Sequence, residues 1–220
     1  MEIQYLGHSC FKLKGKAGTV ICDPYDSSVG FSLTSVSGDV VTLSHDHFDH
    51  NASNKVKGTA RREQPFIVNS PGEYEVGGIS IFGVPTFHDE SKGTERGRNI
   101  VFTIVLDHLR ICHLGDLGHT LTDQDVSQIG TVDVLLVPVG GLFTINAAQA
   151  VEVISSIEPS YVIPMHYKTD DHHPDTYKDM QPVDVFLKEY GVTKKPVTTL
   201  SVEMGRLPEE TEVVIMEKSK

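Results

Sequence analysis

The segment Ser44-His45-Asp46-His47-Phe48-Asp49-His50-Asn51 packs three histidines and an aspartate into the pattern His-x-His-x-Asp-His. Imidazoles two residues apart on an extended segment project to one side, so His45 and His47 can grip a single cation. Asp49 and His50 come after the turn and can face a neighbouring site. Neutral nitrogen mixed with carboxylate oxygen suits zinc, and also manganese or iron. Three more residues of the same chemistry stand where strands are expected to end: His88 in Thr86-Phe87-His88-Asp89, Asp116 in His113-Leu114-Gly115-Asp116, and His166 in Pro164-Met165-His166-Tyr167. Any one alone reads as a capping or core residue. Beside the first motif they read as ligands, because strand ends in an α/β protein converge on one rim.

The elements that must position them are mostly strands. Short apolar runs at Ile3–Gly7, Cys10–Leu13, Thr19–Cys22 and Val40–Leu43 alternate with turn residues, the last feeding directly into His45. Pro65–Asn69, Glu73–Val76 and Ile79–Val84 follow, then a hairpin of Asn99–Leu106 and Leu109–Leu114 across Asp107-His108. Val132–Val139, Tyr161–Pro164, Thr198–Met204 and Glu212–Met216 complete the strands. Helical spacing marks Asn146–Ile157, capped by Asn146, and Val183–Tyr190, stopped by Gly191, with Leu121–Gln128 a shorter candidate. Asn54–Gln64, Asp89–Arg98 and Lys168–Gln181 read as surface loops, none of them an interdomain linker. The expectation is one α/β domain over residues 1–220.

Composition narrows what such a domain can do. The 220 residues carry 19 Lys+Arg against 30 Asp+Glu, a formal charge of −11, with no long basic cluster. That disfavours a polyanion-binding surface, so a small molecule rather than nucleic acid is the expected partner. No window holds the ~20 apolar residues of a membrane span, and the N-terminus lacks a signal-peptide pattern, so a cytoplasmic protein without membrane contact is expected. Cys10, Cys22 and Cys112 are odd in number and widely spaced, which fits reduced, buried thiols rather than a disulfide framework. Nothing in the sequence specifies oligomeric state.

The His-x-His-x-Asp-His segment after an apolar strand, the later His88, the Gly115-Asp116 pair and the Pro164-x-His166 end together resemble the metallo-β-lactamase superfamily of metal-dependent hydrolases. The outer segments Tyr5-Leu6-Gly7-His8-Ser9-Cys10-Phe11, Asp23-Pro24-Tyr25 and Pro138-Val139-Gly140-Gly141 are most similar to small hydrolases near its L-ascorbate-6-phosphate lactonase branch. The resemblance implies an α/β fold, a four-layer αββα sandwich of two mixed sheets flanked by helices. It implies a site for two ions, zinc foremost: His45, His47 and His88 on one, Asp49, His50 and His166 on the other, with Asp116 bridging both. It further implies cleavage of a small ester, lactone, thioester or phosphoester by hydroxide shared between the ions, with Asp49 orienting it or passing on its proton. Phosphodiesterase or nuclease activity, or a non-catalytic metal scaffold, are the alternatives. Two departures matter. Asp116 stands where some antibiotic-hydrolysing members place Cys, and His47 stands where the diiron oxygen reductases place Glu, which disfavours redox chemistry.

Around this set, His8 reads either as a residue near the site or as a buried, hydrogen-bonded histidine. Asp23 reads as a partner orienting a ligand histidine or as a turn residue before Pro24. His119 and Tyr167 stand beside expected ligands and are candidates for substrate contact. His108 and the pair His172-His173 are expected at the surface. The contested choice is the third imidazole beside His45 and His47. Alternation along Leu109–Leu114 turns His113 away from the face of Cys112 and Leu114, so His113 and Asp116 could both ligate only if the chain turned back at Gly115. The strand before His88 simply ends there, so His88 is the expected ligand and His113 its buried neighbour.

Overall fold

Short β-branched runs pair into two sheets in the computed structural model, which describes residues 1–219. The first strands are β1 (Glu2–Gly7), β2 (Cys10–Lys14), β3 (Thr19–Cys22), β4 (Val36–Ser37), β5 (Val40–Thr42), β6 (Val56–Lys57) and β7 (Phe66–Val68). A meander of β8 (Gly72–Val76), β9 (Ile79–Phe87), β10 (Arg98–Leu106) and β11 (Leu109–His113) follows. Helices then enter: α1 (Asp123–Ile129), β12 (Val134–Pro138), α2 (Ala147–Ile157), β13 (Tyr161–Met165), α3 (Pro174–Tyr177), α4 (Val183–Tyr190), β14 (Leu200–Ser201) and β15 (Glu212–Val213).

One sheet runs β14-β1-β2-β3-β5-β7, the other β15-β13-β12-β11-β10-β9-β8, and β4 and β6 form a separate pair. Both large sheets are mixed. Antiparallel β1–β2–β3 leads into parallel β3–β5–β7. Antiparallel β8 to β11 leads into parallel β11–β12–β13–β15. Hence β1, β3 and β5 share one direction, as do β9, β11 and β13. Each of these six strands delivers a candidate residue just beyond its C-terminal end.

The two sheets pack face to face through buried residues such as Phe11, Leu13 and Val20 against Ile81, Phe102 and Ile104. Burying each such Leu, Ile or Phe side chain contributes about 1.5–3 kcal/mol, so this interior anchors the strand ends. The outer face of the second sheet meets α2 and α4 through Leu135, Ala150, Ile154 and Phe186. The first sheet is covered more thinly, by β4, β6, short 3-10 turns and α3, with Tyr25, Val56 and Tyr177 beneath them. This is the layered sandwich of mixed sheets and flanking helices that the family resemblance implied.

Local chemistry sets the element ends. Asn146 and Gln149 form a capping box at the start of α2, and Gly191 closes α4 with φ 80°. Asp107 and His108, with φ 54° and 68°, turn β10 into β11 as a two-residue hairpin requires. Not every expectation holds: the strand expected at Glu212–Met216 covers only Glu212–Val213, and Asn54–Gln64 contains β6. Lys168–Gln181 contains α3, where Pro174 presets the first turn and Tyr177 and Met180 are buried. Thr198–Met204 pairs with β1 only at Leu200 and Ser201, and farther along β1 the Ser219 N–H donates to the Tyr5 carbonyl. Among the described residues no helix is long and apolar enough to cross a membrane, and Cys10, Cys22 and Cys112 are free and buried.

Candidate metal centre

The candidate residues follow six strand ends: His8 after β1, Asp23 after β3, His45 to His50 after β5, His88 after β9, Asp116 after β11 and His166 after β13. His8, Asp23 and His166 have φ of 55°, 42° and 50°, so the chain leaves the strand's alternation at the residue itself and redirects its side chain. The central motif is not extended, as its spacing suggested. Asp23 takes the Ser44 N–H at 2.8 Å, which ends β5, and residues 44–50 continue as bends and turns. His45 and His47 therefore meet edge to face, with ring centroids 4.6 Å apart, through a turn rather than a pleat.

Two groups of donors result. Ligand atoms of His45, His47 and His88 all lie within 4.8 Å of one another, and so do those of His8, Asp49, His50 and His166. Buried Asp116 stands between the groups. Its Oδ1 is 3.3 Å from His50 Nε2, and its Oδ2 is 3.2 Å from the Nε2 atoms of both His88 and His166 and 3.9 Å from that of His45. The Nε2 atoms of His45, His50 and His166 and Asp116 Oδ1 are buried without hydrogen-bond partners. Buried polar atoms are ordinarily satisfied, so convergent orphans of this kind fit a bound cation. His113 is different. The Gly115 N–H donates to its Nδ1 at 3.1 Å and its Nε2 donates to the Ser9 carbonyl at 2.8 Å, which leaves no lone pair for an ion.

A second layer holds these rings. Fully buried Asp23 accepts from His50 Nδ1 at 2.9 Å and from the Ser44 hydroxyl, which itself lies 2.9 Å from His45 Nδ1. One carboxylate thus orients an imidazole of each group. Buried Asn99 donates to Thr86 Oγ1 at 2.8 Å and to the Leu114 carbonyl at 2.9 Å, and accepts the Asp116 N–H at 2.9 Å. It ties the ends of β9 and β11 together and fixes the backbone of Asp116. The sequence reading passed over Asn99 and Ser44; a lone amide opening the apolar run Ile100–Val101–Phe102 was the available signal.

Electrostatics divides the imidazoles. Burial, reinforced by neighbouring His50, pushes the pKa of His45 down to about 3, and burial lowers that of His47 as well. Burial also opposes charge on His50, but Asp116 and Asp49 outweigh it and hold its pKa well above the usual value. For Asp116, burial favours the neutral acid, yet His166 and His50 keep the carboxyl well below its ordinary range. His45 therefore offers a lone pair, while the proton on His50 must leave when a cation binds.

The chain matches the Beta-lactamase superfamily domain over residues 2–166. It belongs to that superfamily. A metal-dependent hydrolase of Archaeoglobus fulgidus is 28% identical over 197 residues, covering 77% of this chain and 84% of its own. The structure of a candidate Zn-dependent hydrolase of the metallo-β-lactamase superfamily from Thermotoga maritima is 40% identical, with a TM-score of 0.78 over 98% of this chain and 97% of that one. CmlA, a diiron β-hydroxylase from Streptomyces venezuelae, shares the fold at 13% identity and a TM-score of 0.61, covering 92% of this chain and 54% of its own. Function within the superfamily must therefore be argued from the site.

In this superfamily member the metal centre opens on one side. A cleft of about 480 Å³ is lined by His47, Asp49, His88, Asp116, Arg96 and Tyr177, among others. A second cleft of about 780 Å³ lies beyond His45 and His47, and Arg96 borders both. The Arg96 guanidinium stands 5.5 Å from the Phe143 ring centre and forms no ion pair among the described residues. Its loop is anchored by Asp89, whose carboxylate accepts the backbone N–H groups of Ser91, Gly93, Glu95 and Arg96.

The remaining candidates fall elsewhere. His119 accepts the Phe87 N–H at 3.2 Å and braces the end of β9. Tyr167 is buried and stacks on Tyr5. His108 and His173 are exposed. His172, expected at the surface with His173, is instead buried, because Phe31 and Tyr177 pack against its ring.

Proposed function

We propose that residues 1–220 act in the cytoplasm as a single-domain hydrolase that uses two divalent cations, zinc foremost, to cleave a small ester, lactone, thioester or phosphoester. The reading rests on two donor groups that converge, with orphaned nitrogens, on the shared carboxylate of Asp116. His45, His47 and His88 would hold one cation, and Asp49, His50 and His166 the other, with Asp116 reaching both. Bound there, the cations supply Lewis acidity toward the substrate oxygen and lower the pKa of a coordinated water. A structural zinc site closes its shell with protein ligands, whereas His47 and Asp49 here face an open cleft, which favours catalysis over a scaffold role.

The chain's own groups complete the chemistry. Tyr177 donates its hydroxyl to Asp49 Oδ2 at 3.0 Å, which fixes the carboxylate so that one oxygen can hold the cation while the other can take a proton from an attacking water. Arg96 at the mouth of a chain with net charge −11 suits a phosphate or carboxylate on the substrate. The same acidity disfavours polynucleotides, so a small ester is preferred to a nucleic-acid phosphodiester.

The test is turnover by protein loaded in turn with Zn(II), Mn(II) and Fe(II). The substrates are lactones, bis-p-nitrophenyl phosphate, and aryl esters paired as neutral and carboxylate-bearing forms. Activity should vanish with chelator and return with metal. Arg96→Ala should raise KM for the anionic ester by about 10- to 100-fold, the loss of one charge-assisted contact, and leave the neutral ester unchanged. No turnover of any substrate by fully loaded protein would refute the hydrolase.

A further inference from the structure

Behind Asp49 lies a buried chain of hydrogen bonds whose direction can be read from its far end. His8 is fully buried, and its carbonyl accepts both the His166 N–H and the Tyr5 hydroxyl at 2.9 Å, which pins its backbone. Its Nε2 lies 3.3 Å from Asp49 Oδ2, and its Nδ1 lies 3.2 Å from His172 Nε2. By distance alone His8 would be a fourth donor to the group of Asp49, His50 and His166.

The tautomers decide otherwise. The Thr169 backbone N–H donates to His172 Nδ1 at 3.1 Å. A backbone amide can only donate, so that nitrogen is bare and His172 carries its proton on Nε2. That proton goes to His8 Nδ1, which is therefore also bare, and His8 carries its own proton on Nε2. A protonated ring nitrogen has no lone pair for a cation. Reversing the chain would strip the Thr169 amide of its acceptor. His8 Nε2 has no aligned hydrogen-bond partner, and the acceptor it faces, Asp49 Oδ2, is near at 3.3 Å but poorly aligned. Catalytic hydrogen bonds are often poorly aligned in this way before substrate binds.

We propose that His8 is a positioning residue, locked by Thr169 and His172 into the tautomer that donates from Nε2 to Asp49 Oδ2. With Tyr177 on the same oxygen, His8 fixes which carboxylate oxygen of Asp49 faces the substrate. The kinetic consequence rests on the hydrolase reading; the tautomer does not. His172 becomes functional through its bond to His8.

Zinc-loaded protein labelled with ¹⁵N-histidine tests this by long-range ¹H–¹⁵N correlation. His8 should show a protonated Nε2 and a bare Nδ1. His8→Ala should retain the full metal content while kcat falls by about 10- to 100-fold and KM changes less than about twofold, as expected for loss of a group that orients a ligand. His8→Gln, whose amide can donate in place of the ring, should recover most of the rate, and His172→Ala should give an intermediate loss. A protonated Nδ1 with a metal-shifted Nε2, or the loss of a metal equivalent in His8→Ala, would make His8 a ligand and overturn the proposal. Unchanged kcat in an active His8→Ala protein would overturn it too. If the loaded protein turns over no substrate, the hydrolase reading fails, while the spectrum of the parent still decides the tautomer.

Discussion

Replacing Asp23 tests whether the metal centre is held from behind. Asp23 Oδ1 accepts the Ser44 N–H at 2.8 Å, and its Oδ2 accepts both the Ser44 hydroxyl and His50 Nδ1. Asparagine tolerates the local φ of 42° and has nearly the same shape. Yet one of its two terminal positions must carry an amide NH2, which faces either the Ser44 N–H or the Ser44 hydroxyl and His50. The corner that aims His45 and His50 loses an anchor either way. Metal affinity of Asp23→Asn should fall about 10- to 100-fold, or ~1.4–2.7 kcal/mol. Asp23→Ala goes further. It leaves at least two buried donors unpaired at ~1–3 kcal/mol each, a loss of ~2–6 kcal/mol from a typical stability of about 5–15 kcal/mol. The melting temperature should drop by at least ~4 °C. Competition with a fluorescent chelator measures the first effect, and calorimetry the second. An asparagine variant that binds metal within about twofold of the parent would refute the orienting role assigned to Asp23.

Two substitutions address the rest of the centre. His88→Ala should lose metal and activity, whereas His113→Ala should keep its metal but melt earlier, because two buried hydrogen bonds disappear; metal analysis showing the reverse would exchange their roles. Gly118→Ala would place a Cβ 2.2 Å from the His88 carbonyl carbon and 2.3 Å from the Asp89 nitrogen. Backbone atoms cannot swing aside as side chains do, so metal content should fall although no donor is changed, and full occupancy would show that the segment after β9 yields freely.

The sequence made the strand ends legible because apolar β-branched runs and turn residues are local signals, and each candidate donor sits where such a run stops. Asn146 and Gly191 marked helix ends for the same reason. Strands β4 and β6 escaped because two residues carry no periodicity. His172 was misread because Asp170, Asp171 and His173 around it are polar, while its burial comes from Phe31 and Tyr177, distant in sequence. The turn conformation of residues 44–50 was equally hidden, since it depends on Asp23, which arrives from another strand. The types of the donors were local information. The partners that orient them were not.

The left-handed backbone at His8, Asp23 and His166 separates two kinds of constraint on this centre. Asp, Asn and His are the non-glycine residues that most readily occupy that region, so chain geometry already restricts these positions before any chemistry is considered. Alanine there gives up that several-fold preference, about 1 kcal/mol or less through the backbone alone. His45, His47 and His88 sit on ordinary backbone and carry no such surcharge. In a survey scoring every substitution for both cellular abundance and activity, the first three positions would lose both together. The second three would lose activity while abundance held, which sorts the residues that shape the corner from those that merely use it.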